Sequence, residues 1–115
     1  MIQAYQIASF FSGPLPKPVR DPEYKRWIKS LPCLACGRNW LVDPCHVGPH
    51  GTGQKAGDNT CLPLCRDCHP EFDKGQRAFA AERDWDLVQL IVFHNHLWWL
   101  RTGRVVGEKK EKRAA

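Results

Sequence analysis

Apolar and polar positions fall into three regimes along the chain. Residues 1–12 are mildly apolar without a clear period and read as a strand or a docked arm. Residues 13–22 carry Pro14, Pro16, Pro18 and Pro22. Proline fixes φ and removes a backbone donor, so this stretch is an extended entry linker. A helix then spans residues 23–30, with Tyr24, Trp27 and Ile28 on one face at i, i+3 and i+4. Asp21 caps it, Pro22 takes the first helical position, Glu23 lies in the first turn and Pro32 ends it.

The second regime, residues 33–68, is loop-rich. Two short extended pieces stand out, residues 40–42 (Trp40, Leu41, Val42) and residues 62–64 (Leu62, Pro63, Leu64). Between them a loop at residues 48–57 holds four glycines. From Cys68 the pattern turns helical through Phe72, Phe79 and Ala80, with a break near Gly75. A last helix runs from about residue 86 to residue 101, opened by Asp84 or Asp86. Leu87, Val88, Leu90, Ile91, Val92, Phe93, Leu97, Trp98, Trp99 and Leu100 cover nearly its whole circumference, and only Gln89 and His96 mark a polar strip. A helix apolar on most sides needs burial on most sides. This predicts a homodimer through residues 87–100, unless the first helix and the N-terminal arm cover that surface. The chain therefore divides into an arm and linker at 1–22, a domain at 23–103 ending in the last helix, and a charged tail at 104–115, frayed from Gly107 onward.

Composition narrows the class. At 115 residues the chain is one domain with a modest core. A charged fraction of 25% with 43% hydrophobic residues is globular rather than disordered. No apolar run reaches the roughly 18 residues that span a bilayer. The N-terminus lacks the basic region and long apolar stretch of a secretion signal. The expected compartment is therefore the cytoplasm, and the six cysteines read as metal ligands or free thiols rather than a disulfide framework.

The strongest chemical signal is a pair of C-x2-C turns, Cys33/Cys36 and Cys65/Cys68, with 28 residues between them. Four thiolates in two such turns suit the tetrahedral preference of Zn²⁺. Gly37, directly after Cys36, suits a knuckle that curls close to the metal. With all four ligands supplied by the chain, the zinc is structural. Cys45 and Cys61 remain as buried thiols, a place near an active site being the lesser alternative for Cys45. Two unrelated dithiols are the competing reading.

Around these turns lie His46 in the segment Asp43-Pro44-Cys45-His46, then Asp58-Asn59 closing the glycine loop, and His69 directly after Cys68. The ordered set resembles the HNH endonuclease family, the ββα-metal or treble-clef nucleases. The flanking segments look like a phage and prophage subgroup associated with recombination. The resemblance implies a small α+β fold with a zinc-bound treble-clef core. It also implies metal-dependent hydrolysis of DNA phosphodiester bonds, leaving 3′-hydroxyl and 5′-phosphate ends. His46 would be the general base, Asn59 or Asp58 would hold the loop and orient it, and His69 would bind a catalytic divalent ion such as Mg²⁺ or Mn²⁺. Imidazole titrates near neutrality, which suits a base at physiological pH. Asp73, four residues after His69 on the same helical face, completes a two-ligand clamp, and Asp43 is a further, weaker candidate. Many family members place Asp or His directly before the base; here Cys45 stands there, which admits softer metals. The literal tripeptide His94-Asn95-His96 is a coincidence, because neighbours on a helix point about 100° apart.

A net charge of +5 favours an anionic partner. Lys55 in the glycine loop, Arg66 and Lys74 are the candidate DNA contacts, and His50 is a loop histidine that could reach phosphate or metal. The competing function is a non-catalytic zinc module that binds nucleic acid or protein. It shares the cysteines and the charge but does not need His46 and His69. A thiol-redox protein is a more distant third.

Overall fold

The computed structural model describes residues 18–48 and 56–108. The arm, Lys17, His50, Lys55 and residues 109–115 lie outside the described residues.

Helix α1 is Pro22–Lys29, one residue earlier than expected at each end. Its start is as the sequence predicts: the Asp21 carboxylate accepts from the Tyr24 amide, and Pro22 occupies the first turn. Tyr24 and Ile28 are its buried residues. Strand β1 is Val42–Cys45 and strand β2 is Leu62–Cys65, antiparallel, with Val42 opposite Cys65 and Cys45 opposite Leu62. A 3-10 turn at Asp58–Thr60 leads into β2. Helix α2 (Cys68–Lys74) and helix α3 (Gln76–Glu82) are separated at Gly75, as the pattern predicts. Helix α4 is Leu87–Thr102, capped by Asp86 through the Gln89 amide and closed by Gly103 at φ +71°, where glycine is favoured.

The first extended piece is misplaced by the apolar pattern. Trp40 and Leu41 lie outside β1, 61% and 50% exposed, and Leu41 has φ +52°. A residue in the left-handed region turns the chain and cannot continue a strand. The strand forms instead from Asp43-Pro44, poor strand formers by propensity, because β2 pairs with them.

β2 is buried along its whole length and separates two clusters. On one side Val42, Cys45, Leu64, Phe72 and Phe79 pack with Cys33 and Cys65. The Phe72 and Phe79 rings meet edge to face at 5.5 Å. On the other side Tyr24, Ile28 and Trp98 pack with Cys61, and Trp98 meets Tyr24 edge to face at 5.5 Å.

α1 covers only part of α4. His94 and Trp98 are buried, whereas Val88, Val92, Phe93, Trp99 and Leu100 remain exposed. The start of the expected tail is docked rather than frayed. Arg104 pairs with Glu23 at 2.9 Å, and the Gly107 amide donates to the Asp21 carboxylate at 2.9 Å. No helix among the described residues is long and apolar enough to cross a membrane.

Candidate functional site

The two C-x2-C turns converge, and the sulfurs of Cys33, Cys36, Cys65 and Cys68 lie within 4.8 Å of one another. Cys36 Sγ and Cys65 Sγ are 3.7 Å apart. A tetrahedron with 2.3 Å zinc–sulfur arms has edges of about 3.8 Å, so the four residues fit the ion. The first knuckle is shaped by its backbone: Gly37, at φ +80°, donates to the Cys33 carbonyl, and the Cys33 amide donates to the Arg38 carbonyl. The second opens α2. Burial opposes ionisation of Cys65, but the backbone amides of Cys68 and Asp67 outweigh it and bring the thiol down to about 7. These four cysteines could hold a metal ion such as zinc.

His46 follows β1 directly, and its Nε2 lies 2.9 Å from Asp58 Oδ1. Asp58 is 1% exposed. Its Oδ2 accepts from the Asp21 amide at 2.7 Å, its own amide donates to the Val19 carbonyl, and Arg20 stands 3.6 Å from Oδ1. Burial alone would raise the Asp58 carboxyl, but the His46 ring and the Asp21 amide overcome it and hold the group below the ordinary value. An ionised carboxylate only accepts, so His46 Nε2 donates to it, which in the neutral ring leaves the lone pair on Nδ1. Of the two candidates, Asp58 is the one whose side chain contacts His46. Asn59 presents its carbonyl to Asn95 at 2.9 Å and packs its side-chain oxygen close against Gly57.

One positioning residue escapes sequence reasoning. Gln76 Nε2 donates to the His46 carbonyl at 3.2 Å, and its Oε1 accepts from the Gly48 amide at 3.0 Å. The only hint is a polar residue directly after the Gly75 break. The tripeptide at 94–96 does not converge. His94 donates from Nδ1 to the Leu90 carbonyl, Asn95 bonds Tyr24 and Asn59, and His96 stacks on Trp99. Asn95 nonetheless helps hold the turn that carries Asp58.

His69, on the first turn of α2, lies between two carboxylates. Its Nε2 is 3.1 Å from Asp73 Oδ2, one turn along the helix, and its Nδ1 is 3.5 Å from Asp43 Oδ2 on β1. Asp43 therefore sits on the opposite ring nitrogen from Asp73, beside the histidine rather than in the same ligand corner. Cys45 occupies that corner: its Sγ lies 3.8 Å from Asp73 Oδ1, and Cys45, His69 and Asp73 offer ligand atoms within 4.8 Å of one another. Burial and the nearby Asp73 carboxylate push the Cys45 thiol well above its ordinary range.

Of the expected DNA contacts, Arg66 is exposed and stands 3.8 Å from Asp43, and Lys74 pairs with Glu71 at 2.9 Å. Trp40 adds an exposed indole, with the Arg38 guanidinium over its ring at 5.2 Å. The sequence reading assigned it to a strand and so missed it.

The described residues thus define a small α+β protein with a two-stranded sheet, four helices and a cysteine cluster able to hold a metal. The chain belongs to the family described as "Protein of unknown function (DUF968)", which matches residues 2–97. It is similar to the "Uncharacterized protein YdfU" of Escherichia coli (strain K12), being 43% identical over 60 residues, 50% of this chain and 17% of the relative. The chain therefore covers only a small part of that relative's length. No solved structure matches it.

Proposed function

We propose that this protein is a metal-dependent endonuclease of the HNH type. In this reading a treble-clef core is held by structural zinc at Cys33, Cys36, Cys65 and Cys68. DNA is the substrate, and the setting is a bacterial or phage-infected cell. The observation that carries the proposal is the His46–Asp58 pair, in which a buried carboxylate fixes the tautomer of a histidine beside a Cys/His/Asp cluster. A bare zinc module has no use for such a pair.

His46 Nδ1 takes a proton from water, and the oxygen attacks the phosphorus. The bond to the 3′ oxygen breaks, giving a 3′-hydroxyl after protonation and a 5′-phosphate. Asp58 holds the ring and stabilises its protonated form. A divalent ion at His69 and Asp73 would supply Lewis-acid stabilisation of the phosphate. Arg66, Lys74 and Trp40 face the nucleic acid.

The test is plasmid nicking across Mg²⁺, Mn²⁺, Ni²⁺ and Zn²⁺, run beside His46→Ala. Losing a general base costs on the order of 10²–10⁴-fold in rate. The variant is expected to lose cleavage while keeping zinc, fold and DNA affinity. Unchanged nicking would sink the assignment. The exposed α4 face, Val88, Val92, Trp99 and Leu100, is the surface through which we infer that two copies pair. Sedimentation showing only a 13 kDa species at micromolar concentration would end that inference.

A further inference from the structure

We propose that Cys45 supplies a thiolate ligand to a second metal site with His69 and Asp73, and that this site takes Zn²⁺ or another thiophilic divalent ion in preference to Mg²⁺. The inference rests on the reading that an ion sits at the His69–Asp73 corner, and it names which ion.

The geometry carries it. Cys45 Sγ is 3.8 Å from Asp73 Oδ1, and His69 Nε2 is 3.1 Å from Asp73 Oδ2. With arms of 2.3 Å to sulfur and 2.0–2.1 Å to nitrogen and oxygen, a tetrahedral ion imposes edges of about 3.6 Å and 3.4 Å. Each of the two distances, one to either Asp73 oxygen, is within about 0.3 Å of the matching edge, and one ligand atom from each of the three residues lies within 4.8 Å of the others. The third donor is sulfur, which selects softer metals, whereas Mg²⁺ demands an oxygen octahedron.

Two further observations fit. Cys45 is fully buried while the side chains of His69 and Asp73 are 28% and 41% exposed, so the thiol forms the floor and the other two the rim. Three protein ligands with a solvent-facing side leave a fourth position open, as in catalytic rather than structural zinc sites. Asp43 on His69 Nδ1 at 3.5 Å then has a defined part. It fixes the tautomer that presents Nε2 to the ion, as a carboxylate behind a metal-bound histidine does. On binding, the ion enters, the Cys45 S–H bond breaks, a sulfur–metal bond forms and one proton leaves to solvent.

The test loads Co²⁺ into protein that carries one zinc. The expected result is one bound Co²⁺ without zinc release. A sulfur-to-cobalt charge-transfer band should appear in the near ultraviolet, with a sulfur scatterer at about 2.3 Å at the cobalt edge. Cys45→Ser should remove the band and weaken Co²⁺ roughly tenfold or more. Cys45→Asp should keep a site, lose the band and gain Mg²⁺ binding. If the serine variant fails to fold, the cobalt-edge measurement on unaltered protein still decides. No sulfur scatterer, a band that survives Cys45→Ser, or cobalt that enters only by expelling zinc would overturn the proposal. Cleavage with Mg²⁺ in protein without any cobalt–sulfur signal would keep the nuclease and remove the thiolate site. A cobalt–thiolate site in protein that cleaves nothing would do the reverse.

Discussion

The two sides of β2 are held together by different means. On the knuckle side four cysteines lie close enough to share one ion, and the apolar contribution comes from few residues, chiefly Val42, Leu64, Phe72 and Phe79. On the other side Tyr24, Ile28 and Trp98 pack around Cys61 as a chiefly aromatic and aliphatic cluster, and Asp21 ties α1, the Asp58 turn and Gly107 together. The reactive groups hang between them. His69 opens the helix after the second knuckle, the His46 backbone is tied to Gln76 of α3, and Asp58 is positioned from the aromatic side. The lesson is that the candidate base is assembled only when both halves are in place.

The largest effect should come from removing the metal that we propose the four cysteines hold. Structural zinc contributes on the order of 10–16 kcal/mol in zinc-finger peptides, more than a domain of this size can lose. Cys65→Ser, or strong chelation, should abolish stoichiometric zinc and the cooperative unfolding transition followed by circular dichroism. A sharp transition that survives would mean the aromatic half folds alone. Next comes Trp98→Ala, which empties the centre of the other cluster and removes the partner of Tyr24 and Arg104. It should cost about 3–5 kcal/mol in urea unfolding while leaving zinc content unchanged.

Acid should weaken the aromatic side in two stages. Burial holds His94 below its ordinary value, so the folded state favours the neutral ring. Its contribution is complete above the unfolded value of about 6.5 and is lost as pH falls through the lowered folded value. Asp58 is also lowered, so its contribution is present above the unfolded carboxyl value of about 3.9 and disappears at still lower pH. Urea midpoints measured against pH should show both limbs, and His94→Leu should erase the upper one alone. The smallest effect belongs to Gln76→Ala. Two hydrogen bonds at about 1 kcal/mol each are lost, and the proposed cleavage should fall further than stability, because Gln76 fixes the loop next to the candidate base.

What could be read from the sequence was what is decided locally. The Asp21 cap, the Gly75 break, the Asp86 cap and the Gly37 knuckle each depend on residues a few positions apart, and each is found where expected. The pairing of the two C-x2-C turns was legible because spacing alone restricts it. The β1 boundary was not, since Trp40 and Leu41 look like strand residues yet turn outward at a left-handed backbone. Nor was the choice of Asp58 over Asn59: neighbours in sequence are separated only by contacts with Asp21, Val19 and Asn95, far away along the chain. Cys45 in the His69–Asp73 corner depends on how β1 lies against α2, and no sequence period encodes that.

The Asp21 junction has a topological consequence. Val19, before α1, and Gly107, after α4, touch, and Gly107 at φ +90° leaves no room for a side chain against Val19. The contact clasps two segments far apart along the chain, so a side chain placed at Gly107 would loosen both at once.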